Sequence, residues 1–309
     1  MFAWAVLGWN LVVVLWGALV RATGSGAGCG SHWPLCNGDV IPRAPAVQTI
    51  IEFTHRATSG VALIGVGILV FWAFRSFAKG HIVRTFATVS LVLILLEALL
   101  GAGLVLLQYV EQNASIGRAI YLSAHLANTQ LLLGALALTA WFSKVHKHDL
   151  RFALGGPKTA LLLPVMLIVG ISGAIAALGD TLFPATSFAE GVRQEMTEGA
   201  HFLLRLRIFH PALAIFSAAY ASFIALEAIR NKRSEDAVQL AWLTWGLVAF
   251  ELVVGAFNVV LLAPVWMQLF HLLMADILWV LLVLLVVEHS GTRQVASIVP
   301  TLNPQLSVR

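Results

Sequence analysis

Eight apolar runs dominate this chain, at roughly 3–20, 55–74, 86–107, 120–142, 159–178, 208–229, 238–262 and 266–287. Each is close to the ~20 residues that span a bilayer as a helix. Backbone N–H and C=O groups in hydrocarbon have no water to bond, so runs of this length dictate helices. Charged residues make up 11% of the 309 and hydrophobic residues 59%, whereas a soluble domain carries about 25% charge. The reading is an all-α integral membrane protein of eight transmembrane helices, with almost nothing left for an aqueous domain. The first run has no basic stretch before it and no clear small-residue cleavage site after it, so it reads as a retained span rather than a signal peptide.

Basic residues set the orientation. Arg75/Lys79/Arg84, Lys144/Lys147/Arg151 and Arg230/Lys232/Arg233 all fall on one side of the predicted spans. The positive-inside rule makes that side cytoplasmic, with both termini there and segments 21–51 and 179–206 outside. The net charge of +4 reflects this bias and is no nucleic-acid footprint.

The eight spans read as one four-helix module used twice, over 1–150 and 151–309. Leu96-Glu97-Ala98-Leu99-Leu100-Gly101-Ala102 matches Phe250-Glu251-Leu252-Val253-Val254-Gly255-Ala256, His55 matches His210, and His125 matches His271. An even number of spans per module makes the repeat parallel, with its pseudo-two-fold axis along the membrane normal. All four histidines then lie near the start of an even-numbered helix, at one depth close to the outer leaflet. A lone histidine there can serve merely to bond a neighbouring helix. Four at matching places point to function, and facing helices of a bundle can hold a haem between two axial imidazoles. His32, His81, His146, His148, His201 and His289 read as loop or helix-end residues.

The two copies differ one turn earlier. Glu52 stands three residues before His55, while Arg207 holds that place before His210. Residues three apart share a helix face, so Glu52 points with His55 toward the edge of any haem held there. Beside an apolar macrocycle such a carboxyl should hold its proton more tightly, which suits proton transfer; the plainer role is a helix-start acid. Arg207, with Arg56, Arg118 and Arg205, suits a haem propionate. Cys29 and Cys36, the two cysteines of the chain, fall in one outer loop, where an oxidising face permits a disulfide, structural or redox-active; a metal site with His32 is the weaker alternative. Glu97 and Glu251 read as interhelical hydrogen-bonding groups in mid-membrane, and Asn128 as a residue orienting His125.

The run Arg21-Ala22-Thr23-Gly24-Ser25-Gly26-Ala27-Gly28-Cys29-Gly30, then Trp33-Pro34-Leu35-Cys36-Asn37-Gly38 and Glu52-Phe53-Thr54-His55-Arg56, resembles the first module of the haem A synthase family. The resemblance implies oxidation of the C8 methyl of haem O to a formyl group, giving haem A for a-type terminal oxidases. It implies that His55 and His125 hold the haem O substrate, that His210 and His271 hold a permanent haem b, and that Glu52 is the catalytic acid or base. Cys29 and Cys36 match that family's outer disulfide pair; a second cysteine pair, present in many bacterial members, is missing from segment 179–206. The implied setting is the cytoplasmic membrane, with the lipid bilayer, an unidentified electron donor, haem O synthase and further copies of the chain as candidate partners. Two rival functions fit parts of the pattern: a two-haem membrane electron-transfer cytochrome, and a transporter using Glu97 and Glu251.

Overall fold

The structure is a computed structural model that describes residues 1–144, 154, 156–231 and 234–298, the last with side chains to 289. His146, His148, Lys147, Arg151, Lys232, Arg233 and the C-terminal tail lie outside the described residues. Within them the chain forms ten helices: α1 Phe2–Ala22, α2 Val47–Ser76, α3 Ile82–Leu106, α4 Ile116–Phe142, α5 Pro157–Leu182, α6 Phe188–Met196, α7 Phe202–Arg207, α8 Phe209–Arg230, α9 Glu235–Val260 and α10 Val265–Ile298.

Local chemistry marks the ends. Ser115 and Ser234 each accept the backbone N–H three residues on, and Glu235 and Asp236 sit in the first turn of α9, where acids favour the positive end of the helix dipole. Pro157 opens α5 at a position where its missing N–H costs nothing. His81 and His201 accept the N–H groups of Val83 and Leu203 at the starts of α3 and α7, so these two histidines have structural work.

Seven of the helices, counting Phe202–Arg230 as one, are long and apolar enough to cross a membrane. The expected eighth, α4, is 27 residues long but falls outside that group. Its polar run Asn128-Thr129-Gln130 dilutes its hydropathy, and burial among other helices makes such a sequence tolerable. From Leu132 to Phe142 every residue of α4 belongs to the interior.

Contacts close two rings: α1 on α2, α2 on α3, α3 on α4 and α4 on α1; then α5 on α8, α8 on α9, α9 on α10 and α10 on α5. The rings are not insulated from each other. One apolar core runs from Ala3 and Val66 through Leu133 and Leu136 to Ala225, Ala241 and Leu285. The seam is α4 on α10, with Gly134 against Trp279 and Val283; small residues let helices approach closely where lipid offers no hydrophobic drive. Gln130 crosses the seam to Asp276 at 2.7 Å and takes the Trp279 indole N–H on its carbonyl at 2.6 Å, while Trp141 donates to Glu288 at 2.7 Å. Arg21 ties α1 to Ala177 and Thr181 of α5 and to Gln268 of α10 at 2.6–2.8 Å.

Candidate functional site

The four predicted histidines stand on α2, α4, α8 and α10, two on opposite corners of each ring of contacts. His210 opens α8 as expected, but His55 lies two turns inside α2 because that helix starts at Val47. The first turns of α2 fall outside the apolar run because Gln48, Thr49 and Glu52 are polar, and Thr49 and Glu52 bond Gly28 and Cys29 of the preceding loop.

Each histidine sits against a glycine of a neighbouring helix. A Cβ built at Gly17 or Gly173 would lie 3.0 Å from a ring atom of His55 or His210; at Gly255 and Gly101 the distances to His271 and His125 are 3.2 and 3.7 Å. His210 and His271 face one another with ring centres 6.3 Å apart. A metal held between two imidazole nitrogens, with bonds near 2 Å, needs ring centres about 6 Å apart. Among the described residues no group of three or more His, Cys, Asp or Glu side chains forms a self-contained metal site. A facing imidazole pair therefore suits an iron whose other ligands arrive with it, as in a macrocycle.

Carboxylates orient one imidazole of each pair. Glu97 Oε1 lies 2.8 Å from His125 Nδ1, and Glu251 Oε1 lies 2.8 Å from His271 Nδ1. Glu97 is itself held by Asn128 at 2.5 Å and by the Thr129 hydroxyl. Asn128 thus reaches His125 only through Glu97, and the expected hydrogen bonding of the two glutamates is directed at histidines rather than simply at a neighbouring helix. Sequence reasoning matched Glu97 to Glu251 without finding this role, although the glutamate to Gly-x-x-x spacing toward each histidine was visible in both halves.

Glu52 is 3% exposed, and both of its carboxylate oxygens are engaged. Oε2 accepts the Cys29 backbone N–H at 2.8 Å, and Oε1 is paired with the Arg56 guanidinium. Cys29 and Cys36 are joined in a disulfide, which removes the metal alternative with His32. The loop they close is pinned to α2 at both ends. Arg56 donates to the carbonyls of His32 and Leu35 at 2.7 and 2.8 Å, and Thr49 donates to Gly28 at 2.7 Å. At Gly28 a Cβ would lie 2.5 Å from the Gln48 carbonyl, so only glycine lets the loop press on the helix and deliver the Cys29 N–H.

The arginines expected to meet propionates are mostly committed to the protein. Arg56 serves Glu52 and the loop. Arg118 donates to the carbonyls of Glu111 and Asn113 at 2.5 and 2.9 Å. Arg207 pairs with Asp180 at 2.8 Å and Glu195 at 2.6 Å, fastening the segment between α5 and α8. Arg205 is exposed. The acidic partners of Arg207 lie 12 and 27 residues away, too far for spacing to reveal them.

Residues 1–283 match the cytochrome oxidase assembly protein family (COX15-CtaA). The chain belongs to that family. It is 29% identical over 287 residues to heme A synthases of Bacillus mycoides and Bacillus cereus, covering 92% of this chain and 90% of each relative. It is 48% identical over 286 residues to a protein of Thermus thermophilus named protoheme IX farnesyltransferase, covering 92% of this chain and 47% of that relative. The chain thus spans about half the length of that farnesyltransferase and nearly the whole of the heme A synthases. Within this cytochrome oxidase assembly family, the haem A synthase resemblance carried by Cys29–Cys36 and Glu52–Arg56 holds over the whole chain.

Proposed function

We propose that this protein is a haem A synthase, oxidising the C8 methyl of haem O to a formyl group for a-type terminal oxidases. The observation that carries the reading is Glu52: a buried carboxylate one turn from His55, fixed by Cys29 N–H and Arg56, with Arg207 at the matching place in the other half. The two closed rings of helix contacts support eight spans arranged as two four-helix bundles, 1–150 around the substrate and 151–309 around haem b. The basic segments support cytoplasmic termini and sites toward the outer face of the cell membrane.

His55 and His125 hold the haem O substrate, and His210 and His271 hold haem b, which when bound supplies one-electron transfer. With water as oxygen source, conversion of a methyl to a formyl group releases four protons and four electrons, so a fixed proton acceptor beside the substrate edge is required. Glu52 is that acceptor. Arg56 and the Cys29 N–H aim it, and the disulfide loop shields it, which strengthens its electrostatic interactions. Haem b held by His210 and His271 would supply a route for these electrons to an external one-electron acceptor, which this balance calls for in place of the unidentified electron donor that the resemblance implies. Arg205, exposed in the last turn of α7, is the arginine most available to a propionate.

Farnesyl transfer is the second reading, favoured by the 48% identity to the Thermus relative. A diphosphate leaving group calls for clustered carboxylates around Mg²⁺, and the described residues hold no such cluster. The remainder of that longer relative is the better place for farnesyl transfer, with haem O synthase as the supplier of substrate.

Glu52→Gln should retain both pigments and stall before haem A in cells supplied with haem O. Pigment extraction that finds normal haem A in that variant would remove Glu52 from the chemistry. Haem b alone, with haem O supplied to the unaltered protein, would favour the two-haem electron carrier.

A further inference from the structure

Three of the four site imidazoles have a side-chain oxygen within 2.9 Å of Nδ1, and His55 has none. Glu97 and Glu251 approach His125 and His271 at 2.8 Å. Ser172 Oγ lies 2.9 Å from His210 Nδ1 and donates its own proton to the Val169 carbonyl at 2.7 Å. His210 Nδ1 is therefore the donor of that bond, which leaves Nε2 free for a metal. His125 and His271 meet their carboxylates as close ion-pair contacts rather than aligned hydrogen bonds, whereas His55 Nδ1 is buried with neither a hydrogen bond nor a carboxylate contact.

The difference traces to one position. Ser172 immediately precedes Gly173, the glycine against His210; Trp16 immediately precedes Gly17, the glycine against His55. The Trp16 indole N–H is spent on the Ile51 carbonyl at 2.9 Å, so α1 offers His55 contact without a bond. Nor does Glu52 supply one, since its oxygens face Cys29 and Arg56.

Outer partners of a ligating histidine fix its ring and raise its basicity, and removing one typically weakens metal affinity 10–100-fold. Resting on the haem reading above, we propose that His55 is the exchangeable imidazole: an external ligand takes its place, while His125, His210 and His271 stay. The first pair is then a fixed ligand opposite a releasable one, and the second pair is closed. Release at His55 admits a small reactant on the side of the pair that carries Glu52, one helical turn away. Sequence alone presents the two pairs as equivalent; the hydroxyl at Ser172 and its absence at Trp16 distinguish them.

The test is carbon monoxide titration of the full-length, dithionite-reduced protein carrying its own pigments, followed by absorbance. One of the two pigments should form the adduct. Ser172→Ala should make the second pigment reactive as well, with CO affinity there raised about 10-fold or more. Trp16→Ser, which brings a hydroxyl to His55, should weaken CO binding at the first pigment by a similar factor. Adducts at both pigments or at neither in the unaltered protein would overturn the inference, as would a second pigment left inert by Ser172→Ala. The haem reading fails separately: if His55→Ala and His125→Ala remove no pigment, both proposals fall.

Discussion

Arg56 holds the candidate carboxylate and the disulfide loop at once, so its loss should be costly in a specific way. Its side chain is 13% exposed and that of Glu52 4%, which places the pair in the regime where removing one partner strands a charge. Such truncations cost about 3–5 kcal/mol. Arg56→Ala also abandons the His32 and Leu35 carbonyls, leaving Cys29 N–H as the donor to Glu52. A change of 1 kcal/mol moves the midpoint of a chain this long by about 2 °C, so Arg56→Ala should lower it by about 6–10 °C. Glu52→Gln combined with Arg56→Ala should fall short of the summed single losses by about 1–3 kcal/mol, because the two act as one unit. The assay is thermal unfolding of the detergent-purified protein at one scan rate, since membrane proteins unfold irreversibly. Additivity within about 0.5 kcal/mol, or a shift below about 2 °C for Arg56→Ala, would refute the view that this pair fastens the loop.

Gly28→Ala drives a methyl into the Gln48 backbone and should cost about 1–3 kcal/mol; thiol labelling after mild reductant should show Cys29 and Cys36 more accessible. Gly173→Val should push His210 from its place, the nearest ring atom being 3.0 Å from the added carbon; pigment analysis should find one haem lost and the other retained. At α6, the Thr186 hydroxyl and then its N–H hold the exposed Glu190 carboxyl below the usual carboxylate range. A depressed value means that the stabilisation is present at neutral pH and is lost as pH falls through it. Thr186→Val should move the Glu190 titration midpoint upward, read by carboxyl NMR.

The apolar runs located the long helices, α4 among them, and set the start of α2 two turns late. Hydropathy measures what a segment would meet in lipid, and α4 and the start of α2 meet protein instead. Asn128, Thr129 and Gln130 are buried against Glu97, α3 and Asp276, and Thr49 and Glu52 at the start of α2 are buried and bond Gly28 and Cys29 of the disulfide loop. Segment 179–206, read as an outer loop, contains α6 and most of α7, held by Arg207, Asp180 and Glu195. Arg118 and Arg207 read as propionate ligands because their partners are backbone carbonyls and distant carboxylates that no spacing rule connects, whereas the Arg56–Glu52 pair, four residues apart, was within reach of one.

Sequence by itself determined that this chain is helical and apolar enough for a membrane, that four histidines recur at matching places, and that Glu52 accompanies one of them. Those features are written in composition and periodicity, which act locally along the chain. Tertiary structure decided what each group touches: Glu97 and Glu251 on histidines, Glu52 on the disulfide loop, and Ser172 on His210 with no counterpart for His55. Such contacts join residues 20 to 38 positions apart, and they depend on helix rotation and on loop closure over a glycine. A difference of one hydroxyl between two otherwise matching sites becomes visible only when the helices that carry it are packed.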